Sequence, residues 1–383
     1  MSGMKKKVLV LYISRYSGHY RAAEALEAAF AKMPVKVDVT KINALTYTNP
    51  ILEKVINRTY IELIKKRPEI WEHIYDNPDF MKKTKKARET LHRFNMSKVG
   101  KLMEKYSPDA VYCTQAFPCG MVSDYKKTFS AKVPLVGVLT DHAPHSYWLH
   151  DEVDIYVVPS HETAVRLMEK GVPENKIRIY GIPVDPGFSV RQDKEKILAP
   201  LGLESDRPTV LLMGGSQGFG AIEEAVRSLM SDRLRRYQLV VVTGSNRKLM
   251  NRLKKYMKRE SSGSVVVLPY ITNVDSLMDA SDVIVTKAGG LTISEALVKA
   301  LPMLIVKPIP GHERMNTDYM VSKGAALEVK DMSSLHKKLN GLFDDAEKLK
   351  KMSDNAADIA LPESALNTAL LLLEDLGCSI TCT

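Results

Sequence analysis

The sequence predicts an α/β protein of two domains, each built on a doubly wound parallel sheet. An apolar strand, a small-residue turn and a helix follow one another at residues 7–32 and again at 208–231, so the same opening occurs twice. A continuous apolar run before such a turn is typical of a strand covered on both faces. Short apolar strands then alternate with helical stretches in both halves, which predicts parallel pairing.

Eight further strands continue the two domains. They are predicted at Val35–Val39, Ala110–Cys113, Leu135–Leu139, Ile155–Val158, Leu239–Thr243, Val265–Leu268, Val283–Thr286 and Met303–Val306. The length of 383 residues is long for one core and natural for two. We therefore expect a first domain over 1–190, a second over 207–360 and a terminal helix within 361–383, with the polar stretch 190–207 as the linker.

The composition is that of a globular protein, with 45% hydrophobic and 26% charged residues. No apolar run reaches the roughly 18–20 residues that span a bilayer. The apolar segment after the basic N-terminus is too short for a signal peptide. The four cysteines lack zinc-ligand spacing, so we expect free thiols and a cytoplasmic protein.

One segment, residues 46–106, interrupts the alternation and predicts helices with amphipathic spacing. Within it, residues 54–105 carry 14 Lys/Arg against seven Asp/Glu, in a chain of net charge +10. Such a basic helical insertion suits packing on its own sheet or contact with an anionic membrane surface. Nucleic acid is the weakest alternative, because the stretch has few interleaved aromatics and no recognition motif.

Two glycine-rich turns in the second half predict an anion site. The first, 214–220, follows a strand and opens a helix, but it matches neither the nicotinamide pattern nor a P-loop. The second contains Gly289 and Gly290 and also opens a helix. Glycines let the backbone approach a ligand closely, and the free N–H groups of a helix start favour a phosphate. Either turn alone also fits a tight connection without a ligand.

Polar side chains accompany these turns. Glu295 falls one turn into its helix, where it fits either a ribose ligand or a plain capping role. The proline-stiffened loop that follows the strand Met303–Val306 presents four partners for sugar hydroxyls, namely His312, Glu313, Arg314 and Asn316. Open α/β sheets bind ligands at such carboxyl ends of strands.

The first half offers a histidine at the matching place. His19 follows Gly18 in the first strand–helix turn, where it fits either a general base acting on an alcohol or a structural role. A second polar loop contains Asp141, His142 and His145. We do not expect a metal there, because acidic partners are few and the histidines are three residues apart.

Several of these segments match a known family when they are taken together. They are Gly18-His19 with Ala22-Ala23, Asn49-Pro50, Leu139-Thr-Asp141, Trp148 with His150, Tyr180-Gly-Ile-Pro183, and the compound pattern Thr286-Lys-Ala-Gly-Gly-Leu-Thr-x-x-Glu295 with Lys307-Pro-x-Pro-Gly-His-Glu-x-x-Asn316. From about residue 6 to about 376, the chain resembles the glycosyltransferases that include bacterial diacylglycerol glucosyltransferases and plant monogalactosyldiacylglycerol synthases. It is more distantly similar to the enzyme that adds N-acetylglucosamine to lipid I.

The resemblance implies a GT-B fold, in which two Rossmann-like domains face each other across a cleft and the last helix crosses back to the first domain. It implies inverting transfer of a hexose from a UDP-sugar, UDP-glucose rather than UDP-galactose, to diacylglycerol. The UDP-sugar is then a co-substrate, and no metal or other cofactor is expected. The basic insertion would hold the enzyme on the anionic inner face of the cell membrane.

By position, the resemblance also implies residue roles. On the acceptor side these are His19 as the catalytic base, with Gly18, Asp141 and Trp148 nearby. On the donor side they are Gly215, Ser216, Gln217, Tyr270, Ile271, Gly289, Gly290, Leu291, Thr292, Glu295, His312, Glu313 and Asn316. Within that set, Tyr270 would mark the uracil position and Glu295 the ribose.

The chain departs from the family pattern at two places. Arg15-Tyr-Ser-Gly-His19 stands where Gly-Gly-Gly-His or Gly-Asn-Gly-His is usual, which narrows the space near the base. His312 stands where glutamine is common. The first departure bears on the acceptor and the second on the donor sugar. Three alternatives remain open: a transferase with another acceptor, a UDP-sugar epimerase on the same scaffold, and a non-catalytic UDP-sugar sensor.

Overall fold

The computed structural model describes residues 5–15, 17–50, 53, 95–218, 220–230, 236–260 and 264–374. These residues fall into two compact units. The first contains the described residues of Met1–Pro186, Pro310–His312 and Glu363–Thr383, and the second those of Gly187–Ile309 and Glu313–Pro362.

The first unit is built on a sheet whose strands are β1 Lys6–Tyr12, β2 Val37–Asn43, β3 Ala110–Cys113, β4 Leu135–Val138, β5 Ile155–Val158 and β6 Ile177–Ile179. Their order is β2-β1-β3-β4-β5-β6, and every neighbouring pair is parallel. Along β1, Val8 and Val10 pack into one core, whereas Leu9 and Leu11 pack into the other. Burial on both faces explains the continuous apolar run in the sequence.

Helices cover both faces of this sheet. They are α1 Gly18–Ala31, α2 Ala44–Thr48, α3 over 95–106, α4 Ala116–Phe129 and α5 His161–Glu169. Helix α1 contributes Ala23 and Leu26 to the core of Val8 and Val10. Helix α3, which is the described end of the predicted insertion, buries Val99 in the opposite core.

The second unit repeats this arrangement with strands β7 Thr209–Met213, β8 Gln238–Val242, β9 Val265–Leu268, β10 Val283–Thr286, β11 Met303–Val306 and β12 Ala326–Val329. Their order is β12-β11-β10-β7-β8-β9, again with parallel pairing throughout. The predicted fold class, an α/β protein with two doubly wound parallel sheets, is confirmed.

The remaining helices follow in chain order. They are α6 Lys194–Leu198, α7 Ile222–Met230, α8 Arg247–Glu260, α9 Val274–Asp279, α10 Gly290–Val298, α11 His312–Ser322, α12 Leu335–Phe343, α13 Ala346–Asp358 and α14 Ser364–Glu374. Helix α14 places Ala365 and Leu371 in the core of the first unit with Val8 and Val10.

The stretch 190–207, which was predicted as a linker, instead belongs to the second unit and contains α6. The reason lies in its charged side chains. Arg191 donates to the carbonyl of Lys299 over 2.9 Å, and the Lys194 ammonium lies 2.9 Å from a carboxylate oxygen of Asp282. These bonds attach the segment to the second unit. Because the segment carries little apolar pattern, the sequence alone did not indicate this attachment.

Some predictions lie outside the described residues. They concern Tyr16, residues 51–52 and 54–94 of the insertion, and the two cysteines Cys378 and Cys382. The other two cysteines, Cys113 and Cys119, are buried free thiols. Among the residues that the structure does describe, no helix is both long and apolar enough to cross a bilayer.

Candidate functional site

Each sheet has one switch point, a place between two adjacent strands from which the chain connections run to opposite sides of the sheet. In the first unit it lies between β1 and β3, and in the second between β7 and β10. Ligands of open α/β sheets bind beyond the carboxyl ends of the strands at such points. The predicted residues His19, Ser216 and Gly289 all follow strands of these two pairs.

The start of α1 positions His19. Ser17 caps this helix, since its Oγ accepts a hydrogen bond from the N–H of Tyr20 over 3.3 Å. The same Oγ donates to the carbonyl of Ile13 over 2.7 Å and so ties the cap to the end of β1. His19 is therefore held in the first turn of the helix, next to an exposed Gly18.

Two neighbouring strands fix the imidazole of His19. Its Nδ1 lies 2.8 Å from the carbonyl oxygen of Thr114, after β3, and 2.9 Å from Oγ1 of Thr140, after β4. Because a carbonyl oxygen only accepts, Nδ1 carries the hydrogen of the neutral ring and Nε2 keeps its lone pair. Thr114 also donates its hydroxyl to the His19 carbonyl over 2.9 Å.

The surroundings keep this ring neutral. Burial lowers the pKa of His19 below its ordinary 6.5, while the nearby Asp141 carboxylate and the Thr114 carbonyl act in the opposite direction. A neutral imidazole with a directed tautomer can accept a proton near neutral pH. Asp141, which was predicted on the acceptor side, thus acts on His19 through its charge.

The rest of the polar loop after β4 serves the structure of the first unit. His142 is buried, its Nδ1 lies 3.4 Å from Oγ of Ser160, and burial lowers its pKa to about 3. Trp148 is only 4% exposed and packs in the core, so its predicted acceptor-side role stays a prediction. In the described part of the chain, no three His, Cys, Asp or Glu side chains are grouped to hold a metal ion.

In the second unit, the turn after β7 is held against the turn after β8. Gly218 has φ +59°, and an added Cβ would lie 2.0 Å from the Thr243 carbonyl oxygen. The N–H of Ser245 donates to the carbonyl of Ser216 over 2.9 Å. Close packing thus accounts for Gly218, whereas a Cβ at Gly215 (φ +72°) would meet nothing closer than Lys287 Cε at 3.6 Å.

The turn after β10 opens α10 without a side-chain cap. Gly289 is the N-cap and has no side chain to accept from the first N–H groups of the helix. Leu291 is buried, Thr292 half-buried, and Glu295 only 6% exposed. Uncapped N–H groups with the positive end of a helix dipole can receive a phosphate.

Two residues that are predicted to contact the sugar also hold the surrounding turns. Glu313 is 1% exposed, accepts from the Ile309 N–H over 2.8 Å and pairs with the Lys287 ammonium at 2.6 Å. Asn316 is fully buried and donates to the Ala288 carbonyl over 2.9 Å. Their contact with a sugar stays a prediction.

The other predicted donor residues lie at the same edge of this sheet. Tyr270 and Ile271 follow β9, with Tyr270 43% exposed, and His312 begins α11 as a half-buried residue. Ser216 and Gln217 are half-buried in the turn after β7. Parallel pairing therefore brings the glycine turns and the polar loops of the second unit to one edge.

Two family models match the chain, one in each unit. Residues 19–184 match monogalactosyldiacylglycerol (MGDG) synthase, and residues 209–367 match the glycosyltransferase family 28 C-terminal domain. The chain is 30% identical over 377 residues to the processive diacylglycerol beta-glucosyltransferase of Bacillus cytotoxicus, covering 96% of this chain and 94% of that protein. The chain belongs to glycosyltransferase family 28.

Another relative of this family 28 glycosyltransferase is the Bacillus subtilis protein of the same name, 27% identical over 372 residues and covering 97% and 94% of the two chains. Among solved structures, Acinetobacter baumannii MurG has a TM-score of 0.62 at 14% identity, with 96% and 99% covered. Neisseria meningitidis UDP-GlcNAc 2-epimerase has a TM-score of 0.64 at 14% identity, and the match covers 96% of this chain and 100% of that one. These structures share the GT-B fold with the glycosyltransferase.

Sequence reasoning missed three residues of this glycosyltransferase that the structure adds to the sites. Thr114 and Thr140 hold His19, and Lys287 holds Glu313. Thr114 and Lys287 directly follow strands that border a switch point, and Thr140 lies two residues after β4, the neighbour of β3. A polar residue within two positions of the end of a buried strand was the available signal.

Proposed function

We propose that this glycosyltransferase transfers glucose from UDP-glucose to the free hydroxyl of diacylglycerol, with inversion at the anomeric carbon. The observation that carries the proposal is His19, a neutral histidine whose Nδ1 is occupied by the Thr114 carbonyl. The names of the Bacillus relatives supply the sugar and the lipid acceptor. Diacylglycerol has one free hydroxyl, which needs a general base to become a nucleophile.

In this mechanism the acceptor oxygen attacks the anomeric carbon while its proton moves to Nε2 of His19. The bond between the anomeric carbon and the diphosphate oxygen breaks, and its electron pair leaves with UDP. Attack from the face opposite the leaving group inverts the configuration. Thr114 and Thr140 keep the ring in the required tautomer and orientation throughout.

The donor residues have complementary tasks. The uncapped start of α10 at Gly289 offers N–H groups to the diphosphate. Glu295 would accept from the ribose hydroxyls, and the backbone at Tyr270 and Ile271 would hold uracil. Because backbone donors meet the developing charge, no metal or organic cofactor takes part in this proposal.

We place the enzyme on the anionic inner face of the cell membrane, where its acceptor lies. The described support is α3, which exposes Lys98, Lys101 and Lys105 and buries Val99 and Leu102. Each such cation near an anionic leaflet contributes about 1 kcal/mol of attraction. Attraction of these lysines to a membrane would bring the enzyme to a lipid acceptor, whereas a soluble acceptor would not require it.

The test is transfer of radiolabelled sugar from UDP-glucose and UDP-galactose, in parallel, to diacylglycerol in anionic vesicles. We expect a labelled glycolipid from UDP-glucose, with a β-anomeric linkage by NMR, both with and without EDTA. Transfer from UDP-galactose alone would correct the sugar. Loss of activity in EDTA that added metal restores would overturn the metal-free mechanism.

Two further arms separate the alternative functions. Incubation of UDP-glucose without acceptor detects an epimerase by a new UDP-sugar. Calorimetric binding of UDP detects a sensor, because binding would then persist without any transfer. UDP binding with no labelled lipid from either sugar would overturn diacylglycerol as the acceptor.

A further inference from the structure

Lys287 lies between the two glycine turns of the second unit. It directly follows β10, and the preceding Thr286 donates its hydroxyl to the Met213 carbonyl over 2.8 Å, which joins the ends of β10 and β7. Its Cε lies 3.6 Å from the place that a Cβ on Gly215 would take. Two residues further along, Gly289 begins the uncapped α10. One long cationic side chain therefore borders both turns.

The ammonium of Lys287 is anchored on one side only. It donates to Glu313 Oε1 over 2.6 Å, and its side chain keeps 21% exposure whereas that of Glu313 keeps 1%. An ammonium has three N–H donors. Within the described part of the chain, the Lys287 ammonium uses one of these donors, toward Glu313, and two are left for a ligand.

Glu313 is a fully engaged anchor. Its second oxygen, Oε2, accepts from the Ile309 N–H over 2.8 Å, so the carboxylate also holds the loop before α11. The neighbouring Asn316 donates to the carbonyl of Ala288, the residue after Lys287. A buried carboxylate requires such partners, and here they fix the lysine stem at the turn.

We propose that Lys287 binds the diphosphate of the nucleoside diphosphate donor and neutralises its charge as it leaves, with Glu313 as the residue that positions Lys287. The inference deepens the proposed function and rests on it. When the bond between the anomeric carbon and the diphosphate oxygen breaks, the electron pair remains on that oxygen. The ammonium meets this new charge directly, whereas the start of α10 supplies only roughly half a positive charge.

The assignment also changes the expected role of Glu313. A carboxylate that faced the sugar would be accessible and would accept from sugar hydroxyls. Glu313 is instead inaccessible, and both of its oxygens already accept hydrogen bonds. Its effect on the donor therefore passes through Lys287.

The experiment measures binding of UDP, UMP and uridine by calorimetry to the full chain and to Lys287→Met, Lys287→Arg and Glu313→Gln. Lys287→Met keeps most of the apolar stem and removes the charge. We expect this variant to lower the affinity for UDP at least about ten-fold, which is the low end for the loss of a hydrogen bond to a charged group. The affinity for UMP should fall less, and the affinity for uridine should stay within two-fold. Lys287→Arg should recover part of the UDP affinity, and Glu313→Gln should weaken UDP but not uridine.

Lys194→Met is the matched control. Lys194 pairs with Asp282, and the Asp282 carboxylate also accepts a hydrogen bond from the N–H of Thr209. This ion pair lies at the amino ends of β7 and β10, away from the glycine turns at their carboxyl ends. The Lys194→Met substitution therefore removes the same charge and the same kind of ion pair from the same unit. All three ligands should bind it within two-fold of the unaltered chain.

The outcomes separate the inference from the proposed function. If the unaltered chain binds UDP and Lys287→Met binds it equally well, Lys287 does not meet the diphosphate. If Lys287→Met weakens UDP and uridine by the same factor, the lysine only holds the turns, and the inference is also wrong. If the unaltered chain binds no UDP at all, the proposed donor fails instead.

Discussion

The two switch points use the same geometry for opposite electrostatic purposes. In the first unit, burial favours the neutral form of His19, and a backbone carbonyl 2.8 Å from Nδ1 fixes the tautomer that leaves a lone pair on Nε2. In the second unit, a buried carboxylate at 2.6 Å holds the Lys287 cation beside two glycine turns. One place is arranged to receive a proton and the other to receive an anion.

The difference lies in what anchors each side chain. A carbonyl dipole can orient an imidazole without fixing a charge on it, whereas a carboxylate stabilises a neighbouring ammonium as a cation. A glycosyl transfer needs both states at once, because the acceptor loses a proton as the donor gains a charge. Each of the following predictions tests one side of this contrast.

The largest effect is expected on the neutral side. His19→Asn retains a donor that can reach the Thr114 carbonyl but removes Nε2, so kcat/KM for lipid glucosylation should fall about 10²–10⁴-fold. UDP affinity should stay within two-fold, as calorimetry can show. The exposed His161 at the start of α5 provides the control, and His161→Asn should keep full activity. A fully active His19→Asn variant would falsify the base assignment.

The second prediction concerns the turns that border Lys287. Alanine at Gly218 or Gly215 takes a left-handed φ, which costs about 1–2 kcal/mol. Only Gly218→Ala must also displace the Thr243 carbonyl, which adds about 1–3 kcal/mol. Denaturant unfolding should therefore rank Gly218→Ala clearly below Gly215→Ala in the free energy of unfolding. Equal stability of the two variants would contradict the close approach.

A third prediction isolates the ribose from the diphosphate. Glu295→Ala should weaken UDP about ten-fold, because one or two hydrogen bonds to a charged group are lost. The unaltered chain should prefer UDP over 2′-deoxy-UDP, and the variant should bind both alike. Glu295→Gln controls for the space left by the buried side chain. If the variant kept its preference for UDP, another group would hold the ribose.

The smallest effect is a shift along the pH axis. Neutral His19 is the active form, and its pKa lies below the ordinary 6.5, so kcat/KM should fall only as pH drops below that value. The Asp141 carboxylate raises the pKa of His19. Asp141→Asn should therefore move the acid limb to lower pH, whereas Asp151→Asn, at an exposed ion pair with Lys127, should leave it in place. A shift to higher pH in Asp141→Asn would contradict this coupling.

Local pattern was sufficient to predict most of the fold. Strands with continuous apolar runs, such as β1, β7 and β11, could be predicted because burial on both faces leaves a signal in the strand itself. The edge strands β6 and β12 were missed. Each is short and carries a charge, Arg178 in one and Glu328 in the other, and neither is fully buried. Whether such a segment forms a strand depends on its pairing with a neighbouring strand.

The sites divide in the same way. His19 and the two glycine turns could be predicted because a strand, a turn and a helix lie within a few residues of each other. The partners of His19 could not, since Thr114 and Thr140 lie 95 and 121 residues further along the chain. The burial of Glu313 could not be predicted either, since it depends on Ile309 and Lys287 folding around this side chain.

The sequence by itself determined the two-domain α/β architecture, the place of His19 and the glycine turns, because these follow from contacts among near neighbours. Only the tertiary structure decided which tautomer His19 adopts and which cation stands beside the turns. Those properties depend on strands that become adjacent through parallel pairing, which joins residues far apart in the chain. Burial favours the neutral form of a titratable group, whereas a nearby opposite charge favours its ionised form, and both effects depend on those long-range contacts.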